Sequence, residues 1–173
     1  MKRLVLIVPL LCLAADGPEI EGWKVFNGKW TGTTKDLHSS TGTIVWGQEA
    51  KKSIEFSFKL RIANFGSEGK GVVALFWGWP SDDRINSERN SLLVYPHKVF
   101  FCDSRQPSGM QKFDYDWSLD KTIQIKGKIL PKSGQIMVGT NKLVCNKLNG
   151  LGPFALHVNG AEAYFSDIVV KTR

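Results

Sequence analysis

Two pairs of aromatic residues carry the chemistry this sequence could do. Trp77 and Trp79 alternate in VVALFWGW (72–79), so they share one face of an extended strand, and Tyr115 and Trp117 do the same in FDYDW (113–117). A sugar ring presents a face of C–H bonds that stacks on an aromatic plane, while a few placed polar groups bond its hydroxyls. Asp82, Asp83, Arg84 and Asn86 follow the first pair in the charged stretch PSDDRINSERN, with Tyr95 and His97 just beyond. All of these are candidate ligand contacts. Tryptophans are also what a β-sandwich buries, so stacking and core packing both stay open.

Hydrolysis of a glycosidic bond asks for two carboxylates roughly 5 to 10 Å apart across a cleft. Asp114 and Asp116 stand on one strand face at about 7 Å by the strand repeat, and Asp83 is a further candidate acid. Alternating acids also mark the solvated face of many strands. Calcium is a candidate cofactor, with Asp82-Asp83 or Asp114-x-Asp116 as oxygen ligands, although neither forms a complete loop motif. His38, His97, His157 and the cysteines lack zinc spacing. There is no Gly-x-Ser-x-Gly elbow, no reactive Cys-His arrangement and no phosphate loop.

The elements that must position these residues read as strands throughout. Ile54, Phe56, Phe58, Leu60 and Ile62 alternate with polar residues, the pattern of a strand with one buried face. Val72 to Trp79 is apolar on both faces. Further strands are expected over 91–95, 98–102, 112–117, 122–129, 135–138 and 142–145. Turns are expected at Pro107-Ser-Gly, Lys132-Ser-Gly and Gly139-Thr-Asn, and Thr31 to Gly42 reads as a loop. In the last stretch, Phe154, Leu156 and Val158 alternate up to Asn159-Gly160, a hairpin signal, as Asn27-Gly28 is near the start. Ala163 and Phe165 keep one phase while Ile168 and Val170 take the other, which predicts a bulge at Ser166-Asp167. No segment keeps a helical period. The class is therefore all-β, an antiparallel sandwich.

The first fifteen residues join Lys2 and Arg3 to the apolar run Leu4 to Leu13 and the pair Ala14-Ala15, the layout of a signal peptide. The run is too short for a membrane span. Residues 16–173 then form a single domain, expected to be secreted or periplasmic, with no transmembrane segment after cleavage. Losing Lys2 and Arg3 removes two of the 23 basic residues against 16 acidic ones, and the formal net charge falls from +7 to +5. The excess is scattered rather than gathered with aromatics, which speaks against a nucleic-acid partner. Cys102 and Cys145 would remain, either as a disulfide or as two separate buried thiols.

Gly152-Pro, the apolar alternation, Asn159-Gly160, an aromatic and Asp167-Ile-Val-Val-Lys171 together resemble the closing strands of concanavalin A-like jelly rolls. The likeness is strongest to secreted domains similar to 3-keto-disaccharide hydrolases, with laminin G-like domains as neighbours, and extends through Trp23-Lys-Val-Phe-Asn-Gly28 and Ile54 to Leu60. It implies a jelly roll and a carbohydrate partner. The Glu-x-Asp-x-Glu signature of concanavalin-like glucanases is absent, which argues against a laminarinase-type enzyme. Three readings follow: a glycan-binding module, a glycoside hydrolase-type enzyme acting on a (3-keto) disaccharide, and a surface module binding a protein.

Overall fold

The computed structural model describes residues 19–78, 90–103, 111–117, 119–148 and 150–173. The expected leader, the turn at Pro107-Ser-Gly, and Trp79, Asp82, Asp83, Arg84 and Asn86 lie outside the described residues.

Strand β4 (Ile54–Asn64) shows how pattern becomes layer. Its apolar set, Ile54, Phe56, Phe58, Leu60 and Ile62, is buried while Lys59 and Arg61 reach solvent. Five such side chains contribute on the order of 10 kcal/mol before chain entropy is subtracted. On one side β4 pairs with β9 (Thr122–Ile129), and β9 continues through β10 (Gly134–Val138) to β11 (Asn141–Cys145), all antiparallel. On its other side β4 pairs with β12 (Phe154–Thr172).

β12 joins the two layers of the sandwich. Its first part, 154–159, lies between β3 (Asp36–Trp46) and β5 (Val72–Trp77), and its later part lies between β3 and β4. From β5 the sheet runs on through β6 (Asn90–Tyr95) and β7 (Lys98–Asp103) to β8 (Gln111–Asp114). On its far side β3 pairs with β2 (Trp23–Gly32), which carries the short β1 (Glu19–Ile20). Phe56 stacks on Phe154 at 5.0 Å, and Phe58 and Trp30 meet Phe165 at 5.7 and 5.9 Å, so aromatic rings fill the space between layers. At the open edge the backbone N–H of Val144 in β11 donates to Gln111 Oε1 of β8 at 2.7 Å, nearly closing the sheet. Apart from one 3-10 turn at Ser67–Gly69 the described residues contain no helix, so none is long and apolar enough to cross a membrane.

Both expected hairpins are corrected. The chain runs straight through Asn159-Gly160 as one strand and straight through Asn27-Gly28 as another. A two-residue turn of the first mirror-image type needs positive φ at both central residues. Here only the glycines have it, Gly160 at 64° and Gly28 at 81°, and each marks a register shift instead. At the second shift Asn27 Oδ1 accepts from the Thr43 N–H at 2.8 Å, which replaces a ladder bond. The expected loop over Thr31 to Gly42 is also corrected, since β3 begins at Asp36 and the chain reverses only at Thr33–Lys35. Ser39 hid that strand: it is buried, its hydroxyl donating to the Lys29 carbonyl at 2.8 Å, so the inward row is not uniformly apolar. The bulge at Ser166-Asp167 is as expected. Asp167 has φ 52°, and the pairing with β4 steps from Ser166–Lys59 to Val169–Ser57.

Candidate functional site

Two of the aromatic residues singled out from the sequence belong to the core. Trp77 is 0 % exposed and packs edge-on against Phe101 at 5.5 Å, and Trp117 is 4 % exposed. Neither ring offers a face to a sugar. Tyr115 lies half-buried on Trp117 at 4.9 Å, where burial pushes its phenol above the usual range. Tyr95 packs edge-on against Phe100. His97 stands exposed at the β6–β7 turn, its Nδ1 3.8 Å from the Asp116 carboxylate. Asp114 and Asp116 are both solvent-exposed, Asp114 ending β8 opposite Lys98 and Asp116 lying past the strand. The solvated-face reading fits them better than a carboxylate pair across a cleft. Among the described residues no three His, Cys, Asp or Glu side chains converge as metal ligands. Cys145 is buried with a free thiol, and the side chain of Cys102 lies outside the described residues.

The register assembles a different surface. Downstream of the shift at Gly160, Tyr164, Ser166, Val169 and Lys171 of β12 face outward, because Ala163, Phe165 and Ile168 face the core. Opposite them on β4 stand Arg61, Lys59, Ser57 and Glu55. Opposite those on β9 stand Thr122, Gln124, Lys126 and Lys128. Met137 and Gln135 continue the last two rows on β10, and Val144 faces Gln135 from β11. Five strands at the usual spacing make this face roughly 19 Å wide. One end of it holds an open groove of about 740 Å³, lined by Glu55, Ser57, Lys126, Lys128, Leu130, Gln135, Met137, Val144, Asn146, Val169 and Lys171. Lys128 Nζ bonds Glu55 Oε1 at 2.8 Å and holds that carboxyl below its usual range.

The other end carries a polar cluster drawn from β3, β4 and β12. Tyr164 lies between His38 on β3 and Arg61 on β4. The His38 ring stacks on it at 4.4 Å, and the Arg61 guanidinium sits 3.9 Å over its centroid. Glu162 accepts from the Tyr164 hydroxyl at 2.7 Å and from Asn64 Nδ2 at 2.9 Å, with His38 Nε2 3.5 Å away. The tyrosine hydrogen bond, helped by His38 and Asn64, lowers the Glu162 carboxyl, and the same bond raises the phenol. A carboxyl depressed in the folded state adds stability above its unfolded pKa and loses it as pH falls through the folded value. Melting curves at neutral pH and at about pH 3 should therefore show the gap between wild type and Glu162→Gln narrowing in acid. A gap that stays constant would contradict the depressed carboxyl.

No family model and no curated protein matches the sequence. Solved structures do match in shape. The carbohydrate-binding module CBM66 from Bacillus subtilis has a TM-score of 0.64 and 17% identity, over 87% of this chain and 96% of that one. The family 7 alginate lyase A1-II′ gives 0.62 and 9%, over 86% and 83% of the two chains. Alginate lyase PA1167 from Pseudomonas aeruginosa gives 0.62 and 10%, over 85% and 87%. At these identities the likeness is one of fold: this chain is a concanavalin A-like jelly roll.

Proposed function

We propose that this is an exported domain that binds a glycan in the groove across β12, β4, β9, β10 and β11. One observation carries the reading. Of the three large apolar side chains exposed among the described residues, Leu119, Leu130 and Val169, two line this groove, at 39 % and 49 % exposure. They stand beside Ser57, Gln135 and Asn146, so the site combines C–H contact with hydroxyl-bonding groups, as sugar sites do. The carbohydrate-binding and lyase names of the fold neighbours support it. The contact is then aliphatic rather than aromatic, because the described tryptophan candidates are in the core. Ser57→Trp would fill the middle of the groove from its outward position on β4. It should abolish glycan binding, read by calorimetry against a glycan panel, while leaving the melting temperature near that of wild type. Retained binding would move the site elsewhere, the 79–86 stretch being the first place to look.

A second reading is enzymatic cleavage of a (3-keto) disaccharide, in keeping with the resemblance of the closing strands. It is favoured by one observation, that His38, Tyr164 and Glu162 place titratable groups on the sheet face that also holds the groove. It predicts product that accumulates with time and stops accumulating in Glu162→Gln. Sugar unchanged after prolonged incubation would leave the binding role alone.

A further inference from the structure

Resting on the groove as the glycan site, we infer that its ligand is an acidic polysaccharide, whose carboxylate or sulfate groups meet Lys126, Lys128 and Lys171. The groove carries more positive charge than its own carboxylate can match. On β4, in the same face, the two other outward cations have their own carboxylates: Lys59 with Asp167 at 2.7 Å and Arg61 with Asp120 at 2.6 Å. In the groove, three lysines share one carboxylate, Glu55, which is already bonded to Lys128. Lys171 stands directly across from Glu55, and Arg173 also acts on it. Lys126 faces Ser57 on one side and Met137 on the other, neither of them anionic. The groove thus keeps a formal excess of two positive charges.

The spacing suits a repeating anion. Lys126 and Lys128 project from alternate positions of one strand, about 7 Å apart, and Lys171 lies two strands from Lys128, about 10 Å away. A chain laid across the strands would pass these charges in turn, with Met137, Val144 and Val169 beneath it. Nucleic acid is the other polyanion to weigh, and the groove lacks what it needs. Among the described residues Phe56 is the one aromatic at the groove and it is buried, so these residues offer bases no stacking platform.

The test is a binding panel of polygalacturonate, dextran sulfate, unmodified dextran and a single-stranded oligonucleotide, each at low and at physiological salt. The expected result is binding of polygalacturonate, dextran sulfate or both, little for dextran, and a loss of about tenfold or more in affinity as salt rises. Which of the two binds tells carboxylate from sulfate recognition. The triple variant Lys126→Gln, Lys128→Gln, Lys171→Gln should weaken binding about tenfold or more with its melting temperature kept, and the triple Lys→Arg variant should restore it. Glu55→Gln should move the other way and tighten binding several-fold, since it removes the only anion among the described residues of the groove; a structural role for these side chains would not produce that gain. Equal, salt-independent binding of dextran would overturn the acidic class while leaving the glycan site standing. Acidic-chain binding that ignores both the lysine and the Glu55 variants would overturn the placement of charge recognition in the groove. Binding of the oligonucleotide alone, or of nothing in the panel, would overturn the glycan reading as well.

Discussion

Phe58→Asp should leave no folded protein at room temperature, while Phe58→Leu should fold with reduced stability. Phe58 is fully buried near the middle of β4, between the layers, with Phe56 at 6.1 Å and Phe165 at 5.7 Å. Truncating such a ring costs about 3–5 kcal/mol. Aspartate adds a carboxyl with no partner in a site lined by rings, which costs several kcal/mol more whether it stays charged or takes up a proton. The sum rivals the 5–15 kcal/mol that typically holds a domain of this size together. Soluble yield and far-ultraviolet circular dichroism check the aspartate variant, and denaturant unfolding checks the leucine one. A cooperative melt for Phe58→Asp close to that of wild type would mean that the core is not where these contacts put it.

The second large effect is expected where two strands approach through glycine. Gly28 on β2 pairs with Gly42 on β3. A Cβ added to Gly28 would lie 2.1 Å from the Thr41 carbonyl oxygen and 2.4 Å from the Gly42 Cα. One added to Gly42 would lie 2.2 Å from the Asn27 carbonyl oxygen and 2.6 Å from the Gly28 Cα. Both obstacles are backbone, so neither can swing aside, and both residues hold positive φ, 81° and 122°. Gly28→Ala and Gly42→Ala should each lower the unfolding free energy by about 3 kcal/mol or more. Denaturant midpoints measure this. Because both methyl groups enter one gap, the double variant should depart from the sum of the singles. Loss of less than about 1 kcal/mol from either single variant would show that β2 and β3 can part to admit a side chain.

The strand content of this fold was legible where one face is uniformly apolar. The alternation from Ile54 to Ile62 gave β4, and the phase change from Phe165 to Ile168 located the bulge in β12. The sequence was misleading where one dipeptide serves two geometries. Asn-Gly fits a tight turn or a register shift, and only pairing on both flanks, as Asn159 has with Thr41 and Val72, selects the shift. β3 was hidden because buried Ser39 and Thr43 pair their hydroxyls by hydrogen bonds, with the Lys29 carbonyl and with His157 Nδ1, rather than presenting apolar side chains. The site was legible least of all. Lys126, Lys128, Glu55 and Lys171 each look like ordinary solvated positions, and it is the antiparallel register that sets them in one row or its neighbour. The same holds for Arg61, Tyr164 and His38, which are far apart in sequence yet adjacent in the sheet. Tryptophan drew attention toward Trp77 and Trp117 because residue type alone cannot tell a stacking platform from a core plug.

The strand shared by both layers also governs when this protein can fold. β3, β4 and β5 are made early, but each finds a central partner only in β12, whose residues are more than a hundred positions downstream of β3. A nascent chain leaving the ribosome therefore carries unpaired strand edges and exposed aromatic rows until residues 154–172 emerge. Folding must wait for that segment and, with so many non-local pairings, is slow. During that interval the chain is open to edge-to-edge association. If it is exported as proposed, the same delay keeps it unfolded long enough to be threaded across a membrane.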